Sequence, residues 1–162
     1  MKAANPASKR DADVWTKIAR LQRGGIPRTL DLFAGCGGLS LGFQAAGFRT
    51  EGAVEADKTA AASYAINFHE GADLHSKARD ILSIGPEELV ADLELGRKEQ
   101  AFDVVVGGPP CQAFARIGRA KLREVAAHPE AFRHDPRALL YLKYLAYVRE
   151  RRPLDIVRGE RA

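Results

Sequence analysis

The chain alternates between short apolar runs and longer segments with apolar residues at helical spacing. The clearest apolar run is "DVVVGG", whose three consecutive valines are typical of a strand buried on both faces. Strands are also predicted at 30–33, within "TEGAVEAD" and at "LDIV". A weaker strand is predicted at 74–78, ahead of Asp80 and Ile81.

Helices are predicted between these runs, at 13–22, 39–46, 58–68, 86–95 and 137–150. In the first, Val14, Ile18 and Leu21 recur at helical spacing, which favours a short helix that covers part of the core. A partner-binding helix is the alternative interpretation. In the last, core-facing spacing is shared by Leu139, Leu142, Leu145 and Val148.

Strands that alternate with helices predict an α/β fold with a doubly wound, mostly parallel sheet. Ligands of such sheets bind beyond the carboxyl ends of the strands. A glycine-rich turn, Glu55, Asp80 and Cys111 all follow predicted strands. The sequence therefore predicts one binding edge, in a domain at 28–162 preceded by an extension at 1–27.

Composition excludes several classes of protein. The 162 residues suffice for one domain with a core, and no apolar run approaches the roughly 18 residues of a membrane span. Two cysteines cannot build a disulfide framework, and the polar start favours a cytoplasmic location. The net charge of +4 permits a polyanionic partner without requiring one.

The glycine-rich turn lies in "RTLDLFAGCGGLSLGF". Its spacing departs from the G-x-G-x-x-G of dinucleotide-binding proteins, and Asp31 would oppose the charge of a pyrophosphate. Glu55 follows about 20 residues later, where an acid hydrogen-bonds ribose hydroxyls. This mixture favours a ribose-bearing ligand without phosphate, such as S-adenosylmethionine. Asp80 could then accept from its adenine amino group, or it could simply cap a helix or turn.

Cys111 follows two prolines at the end of the valine strand, in "GGPPCQAFARIGRAK". The prolines stiffen the exit from the strand, and Arg116 and Arg119 would favour a reactive thiolate. A small buried apolar cysteine is the equally weighted alternative.

The combination of "DLFAGCGGLSLGFQAAGF", Glu55 and "DVVVGGPPCQAFARIGR" resembles the C5-cytosine DNA methyltransferase family. The resemblance runs from about Thr29 to Val157. It implies a Rossmann-like fold that uses S-adenosylmethionine and is incomplete at its C-terminal side. It also implies DNA as the partner, no membrane, and a bacterial, nucleoid-associated protein of a restriction–modification system.

The resemblance assigns roles by position. Cys111 would be the nucleophile that adds to C6 of a cytosine flipped out of the duplex. Glu55 would hold the ribose of the cofactor, and Asp80 and Ile81 its adenine. The rest of the cofactor pocket would be formed by Phe33, Gly35, Cys36, Gly37, Gly38 and Pro109. The substrate-binding residues would be Pro110, which would help to position the cytosine, Gln112, and the basic residues Arg116, Arg119 and Lys121, which would hold DNA phosphates. For the three basic residues, a solvated loop is the alternative. The histidines match no metal-ligand spacing, and no metal is expected.

The sequence closes with "VRGERA" where the resemblance leads one to expect Glu-Asn-Val. We therefore expect this chain to lack the catalytic glutamate and the target-recognition domain, and to have marginal stability and negligible methyl transfer alone. A frameshift is one hypothesis, because a shifted reading of suitable codons encodes Gly-Glu-Asn-Val. The alternatives are a non-catalytic fragment or subunit that binds S-adenosylmethionine or nucleic acid and needs a complementing C-terminal chain, and a tRNA cytosine-5 methyltransferase.

Overall fold

A computed structural model describes residues 9–97, 99–109, 136–151 and 155–158. The described helices are α1 Lys9–Gln22, α2 Gly38–Ala45, α3 Lys58–His69, α4 Asp73–Ser76, α5 Pro86–Asp92 and α6 Pro136–Arg151. The described strands are β1 Arg28–Leu32, β2 Arg49–Val54, β3 Val104–Gly107 and β4 Asp155–Arg158. None of the described helices is long and apolar enough to cross a membrane.

The four described strands form one parallel sheet in the order β2-β1-β3-β4. The chain crosses from β1 through α2 to β2, then returns to place β3 on the other side of β1. The order of the strands therefore reverses at β1, as in a doubly wound sheet. This confirms the predicted Rossmann-like α/β fold.

The core lies between this sheet and its helices. Leu30 and Leu32 of β1 and Val105 of β3 have no exposed surface, and Phe102 just before β3 is equally buried. At the carboxyl end of β3, Gly107 pairs with Leu32, and a Cβ atom on Gly107 would stand 2.5 Å from the Leu32 carbonyl oxygen. A glycine is required there because the two strands approach too closely for a side chain.

The predicted strand at 74–78 is wrong. Residues 73–76 form the single turn α4, and no described residue between β2 and β3 joins the sheet. Leu74 is the only strongly apolar residue of this turn, and its carbonyl oxygen accepts a hydrogen bond of 2.6 Å from the Arg79 guanidinium. A single apolar residue does not supply the buried face that a strand needs.

The predicted core face of α6 is also largely wrong. Leu139, Leu142 and Leu145 are 46%, 56% and 41% exposed, whereas Tyr144 and Tyr147 are buried. The Tyr147 hydroxyl donates a hydrogen bond of 3.1 Å to the Ile84 carbonyl oxygen. This contact fixes the rotation of α6 and turns the leucines away from the described core. Val148, on the other hand, packs against the core as predicted.

Helix α1 packs against the amino ends of β1 and β3 through polar contacts. The Lys17 ammonium is almost fully buried and donates to the Phe102 carbonyl oxygen. The buried Asp103 carboxylate accepts from the Arg20 guanidinium and, over 2.8 Å, from the Arg28 backbone N–H. The extension is therefore joined to the sheet, at the edge opposite the carboxyl ends of its strands.

Candidate functional site

A cavity of about 270 Å³ lies at the carboxyl ends of β1, β2 and β3. Its lining residues are Phe33, Val54, Glu55, Ala56, Arg79, Asp80, Ile81, Gly108 and Leu140. Four of the predicted cofactor residues, Phe33, Glu55, Asp80 and Ile81, therefore share one cavity. Its position is the one that parallel sheets use for ligands.

Glu55 is placed by two backbone hydrogen bonds. One carboxylate oxygen accepts from the Gly35 N–H over 2.7 Å, and the other accepts from the Asp57 N–H over 2.9 Å. Each carboxylate oxygen has a second lone pair, so the group retains acceptor capacity for a hydroxyl. The carboxylate thus joins the turn after β1 to the end of β2 while it faces the cavity.

Phe33 adopts an unusual backbone conformation at the start of the same turn. Its φ is 60°, in the left-handed region that a bulky residue rarely adopts. The Phe33 N–H donates to the Val54 carbonyl oxygen over 2.9 Å, so β2 holds the residue in this conformation. Strained residues of this kind cluster at ligand-binding sites, and here the strain places an aromatic ring against the cavity.

Asp80 follows no strand, contrary to the prediction. It reaches the cavity because the Arg79 N–H donates to the Glu55 carbonyl oxygen over 2.7 Å. The Asp80 carboxylate accepts from the Leu82 N–H over 2.9 Å. This is the turn-capping role that the sequence offered as the alternative for Asp80. Asp80 is nevertheless exposed and lines the cavity, so it keeps capacity to accept from a ligand. Ile81 beside it is buried and belongs to the core.

The Arg79 side chain anchors this segment. Its guanidinium bonds the Asp92 carboxylate, which Lys77 also contacts. Burial alone would raise the pKa of Asp92, but the hydrogen bonds from Lys77 and Arg79 outweigh burial and lower it below the usual range. Asp92 is therefore ionised at neutral pH and fixes Arg79.

The remaining glycine-rich turn lies beside the cavity rather than in it. Gly35, Cys36, Gly37 and Gly38 are not among the cavity-lining residues of the described chain, although Gly35 bonds Glu55. Cys36 is exposed, and Pro109 is buried next to the cavity-lining Gly108. The roles of these five residues in cofactor binding stay predictions.

Asp31 does not face the cavity. It has no exposed surface, and its carboxylate accepts from the Ser40 hydroxyl over 2.8 Å. The Ser40 hydroxyl also bonds the Tyr64 hydroxyl over 2.7 Å. Burial raises the pKa of Tyr64 well above its usual range; the hydrogen bond with Ser40 opposes this, and the charge of Asp31 adds to it. Asp31 is therefore a structural acid of the core and is not part of the cavity lining.

Several cavity residues escaped the sequence analysis. Val54 and Ala56 flank Glu55, and their position beside an acid at a strand end is the signal that could have found them. Gly108 could have been found in the same way, next to Pro109. Leu140 comes from α6, far along the chain, and an apolar helical residue carries no signal of this kind. The predicted nucleophile and DNA-contacting residues lie outside the described part of the chain: Pro110, Cys111, Gln112, Arg116, Arg119 and Lys121.

Residues 27–157 match the C-5 cytosine-specific DNA methylase family. The chain belongs to this family. The match extends from the residue before β1 into β4, so it includes the whole cavity and the Pro-Pro-Cys-Gln segment. The resemblance inferred from the sequence is confirmed.

Several type II methyltransferases are similar over most of this chain. M.OihORF3336P of Oceanobacillus iheyensis, assigned as a type II methyltransferase, is 40% identical over 124 residues, which are 75% of this chain and 26% of that protein. Type II methyltransferase M.XorII of Xanthomonas oryzae is 35% identical over 76% of this chain and 28% of its own. Type II methyltransferase M.AquIA of a Picosynechococcus strain is 33% identical over a segment that covers 78% of this chain and 45% of that protein.

A solved structure shows the same fold. It is an E. coli prophage protein assigned as a DNA modification methyltransferase, with a TM-score of 0.57 and 30% identity. The alignment covers 83% of this chain and 32% of that protein. The chain therefore spans between a quarter and a half of the length of these four methyltransferases.

Proposed function

We propose that this chain is the cofactor-binding and nucleophile-bearing part of a DNA (cytosine-5-)-methyltransferase that uses S-adenosylmethionine. The observation that carries the proposal is the cavity where the carboxyl ends of β1, β2 and β3 meet Glu55, Asp80 and Phe33. Membership of the C-5 cytosine methylase family supports the same activity.

The residues around the cavity fit this cofactor. Glu55 offers carboxylate lone pairs for ribose hydroxyls, and Asp80 offers an acceptor for an adenine amino group. Phe33, Ile81 and Leu140 provide apolar surface for a purine ring. When bound, S-adenosylmethionine supplies an electrophilic methyl group on its sulfonium.

Cys111 is the proposed nucleophile. Its thiolate would add to C6 of a cytosine that has left the base stack, which makes C5 electron-rich enough to accept a methyl group. Loss of the C5 proton to a base and departure of the thiolate then restore the ring. Pro110 and Gln112 would position the cytosine, and Pro109 would lie on the cofactor side. Arg116, Arg119 and Lys121 would bind DNA phosphates in a sequence-independent manner.

Cofactor binding is tested by isothermal titration of S-adenosylhomocysteine, the demethylated product, into the 162-residue chain. We expect Glu55→Gln to weaken binding about tenfold or more, because a hydrogen bond to a charged group contributes roughly 1.5–3 kcal/mol. Glu88→Gln, at an exposed carboxylate in the first turn of α5, is the matched control. Equal affinities of the two variants would contradict the assignment of Glu55.

The nucleophile is tested by covalent trapping on DNA that contains 5-fluorocytosine, with S-adenosylmethionine present. Fluorine at C5 blocks the final elimination, so a competent site leaves a protein–DNA adduct. An adduct formed by the unaltered chain and lost in Cys111→Ala would support the role of Cys111. Absence of an adduct from folded chain would leave binding as its only function, in agreement with the expectation of negligible activity alone.

A second candidate is a subunit that acts with further polypeptide. The exposed face formed by Leu139, Leu142 and Leu145 of α6 favours it, since leucines at this spacing normally pack against protein. The occupant we propose is the remainder of a C-5 methyltransferase, because the relatives are two to four times longer than the matched segment. Methyl transfer to DNA would then rise when a polypeptide with the unmatched part of M.OihORF3336P is added. Leu142→Lys would suppress that rise, and full turnover by the 162-residue chain alone would contradict the candidate.

A further inference from the structure

The glycine-rich turn after β1 rests directly on the second half of α3. Gly37, which precedes α2, has φ 96°, and a Cβ atom there would overlap the Phe68 ring. The backbone of the turn therefore lies flat against an aromatic side chain of α3. Only a glycine permits both this conformation and this approach.

A hydrogen bond from the preceding residue of α3, Asn67, holds the same turn. The Asn67 side-chain amide donates to the Cys36 carbonyl oxygen over 3.0 Å. Asn67 is exposed, so its amide could be hydrated instead of making this contact. The bond spans 31 residues of chain and connects two elements that the sheet alone does not join.

A third contact lies one helical turn earlier on α3. The buried Tyr64 hydroxyl bonds the Ser40 hydroxyl, and Ser40 donates to Asp31 of β1. Because the Ser40 proton is used on Asp31, the Tyr64 hydroxyl is the donor to Ser40. Burial raises the pKa of Tyr64, which keeps this proton in place. The Tyr64 and Phe68 rings also pack together, with centroids 4.7 Å apart.

The start of α3 is tied to the other side of the turn. Asp57 caps the helix by accepting from the Ala60 N–H over 2.8 Å, and its own N–H donates to the Glu55 carboxylate. Glu55 in turn accepts from Gly35. Both ends of the glycine-rich turn are therefore connected to α3, one through Asn67 and the other through Glu55 and Asp57.

We propose that Asn67, supported by Phe68, is a positioning residue that holds the glycine-rich turn in the conformation that receives the cofactor. The identity of the ligand rests on the proposed function. The positioning role rests on the contacts of Asn67 with Cys36 and of Phe68 with Gly37. Asn67 acts on the Cys36 carbonyl and through it on the backbone of the turn.

The deciding measurement is amide hydrogen exchange of residues 35–39 in the ligand-free 162-residue chain. One side-chain hydrogen bond contributes about 0.5–1.5 kcal/mol, so Asn67→Ala should speed exchange in the turn by roughly 2–13-fold. Asn67→Asp keeps the shape but turns an acceptor toward the carbonyl, and it should speed exchange further. The same loss should lower the melting temperature by only a few degrees, at about 2–4 °C per kcal/mol for a chain of this size.

Ser63→Ala is the matched control. Its hydroxyl also donates to a backbone carbonyl, that of Thr59 over 2.9 Å, but both partners belong to α3 itself. Phe68→Leu is the second variant, and it should loosen the turn through lost ring packing. Equal exchange in the turn for the unaltered chain, Asn67→Ala and Ser63→Ala would overturn the proposal.

Titration with S-adenosylhomocysteine separates this proposal from the proposed function. Asn67→Ala should weaken binding by a factor similar to its effect on exchange, and Ser63→Ala should not. If the unaltered chain fails to bind while Asn67→Ala still speeds exchange, the proposed cofactor is wrong and the positioning role stands. If the unaltered chain binds and Asn67→Ala changes neither exchange nor affinity, the positioning role is wrong and the proposed function is unaffected.

Discussion

The Glu55 carboxylate accepts a hydrogen bond of 2.7 Å from the Gly35 N–H, and this bond fastens the turn after β1 to the end of β2. The same carboxylate accepts from the Asp57 N–H at the start of α3. The residue predicted to bind the cofactor is thus also a structural link between two loops. Its substitution should affect stability as well as binding.

Glu55→Gln should lower the free energy of unfolding by about 1–2 kcal/mol. A glutamine amide offers one acceptor oxygen, so either the Gly35 N–H or the Asp57 N–H loses its partner. Urea unfolding followed by circular dichroism measures the change, and Glu88→Gln at an exposed site should remain within roughly 0.5 kcal/mol of the unaltered chain. A Glu55→Gln chain as stable as the control would show that this carboxylate does not hold the turn.

Asp103→Asn should destabilise the chain by about 3 kcal/mol. The buried carboxylate bonds Arg20, the Arg28 backbone N–H and the Arg28 guanidinium, and loss of its charge leaves two partly buried cations without their partner. Glu51→Gln is the comparison, because Glu51 pairs with a mostly exposed Arg49, and such pairs contribute roughly 0–1 kcal/mol. Similar unfolding midpoints for the two variants would mean that α1 does not depend on Asp103.

Stability should fall when the pH is lowered from 7 to 5. The rings of His69 and His75 stack with centroids 3.5 Å apart. Burial, followed by the charge of its neighbour, lowers the pKa of His69 from 6.5 to about 4, and burial lowers that of His75. Between about pH 6.5 and pH 4 these histidines are protonated in the unfolded chain but largely neutral in the folded chain. Lowering the pH in this range therefore favours unfolding.

The free energy of unfolding should fall by about 1–2 kcal/mol between pH 7 and 5. This is less than two fully buried histidines would give, because both rings retain contact with solvent. The lowered pKa of Asp92 acts only below its usual 3.8 and does not contribute in this range. His69→Phe keeps a ring in the stack but binds no proton, and it should flatten the pH profile. A profile unchanged by this substitution would assign the effect to other groups.

Leu142→Ala should change the free energy of unfolding by less than about 0.5 kcal/mol, because Leu142 is 56% exposed. Leu89→Ala, at a fully buried position in α5, should cost about 2–5 kcal/mol. Denaturant unfolding of both variants at two protein concentrations measures the difference. A large cost for Leu142→Ala that grows with concentration would show that this face is already covered by association.

The sequence predicted the parallel α/β fold because strand and helix periodicities are local and strong in this chain. The strand predicted at 74–78 was wrong because it rested on one leucine among mostly polar residues. In the structure the Leu74 carbonyl oxygen accepts from Arg79, and this contact stabilises a turn. The prediction for α6 failed because both faces of that helix carry apolar residues. Periodicity alone cannot choose between the leucines and Tyr144 with Tyr147; the choice depends on Ile84, which is distant in sequence.

The site was predicted where strand ends carry chemically distinctive residues, as at Phe33 and Glu55. Asp80 was predicted to follow a strand that the structure does not contain, and it reaches the cavity through the hydrogen bond between the Arg79 N–H and the Glu55 carbonyl oxygen. Leu140 was missed because an apolar residue carries no sign of its role. Asn67 was missed because a lone amide on a helix resembles any surface residue. Its contact with Cys36 depends on how α3 crosses the turn. The role of Cys111 rests on the family resemblance and stays a prediction.

The buried lysine of α1 bears on where this domain begins. The family match starts at residue 27, after α1 has ended, yet Lys17 and Arg20 place their charges against Phe102 and Asp103 at the foot of β3. Trimming the chain to its family boundary would uncover a carbonyl and an acid at the base of the central strands. Such a shortened protein would keep every residue of the cavity, but it would lose the contacts that hold the opposite end of the sheet. Sequence families delimit what relatives share, whereas the contacts that join α1 to the sheet of this chain begin outside the matched residues.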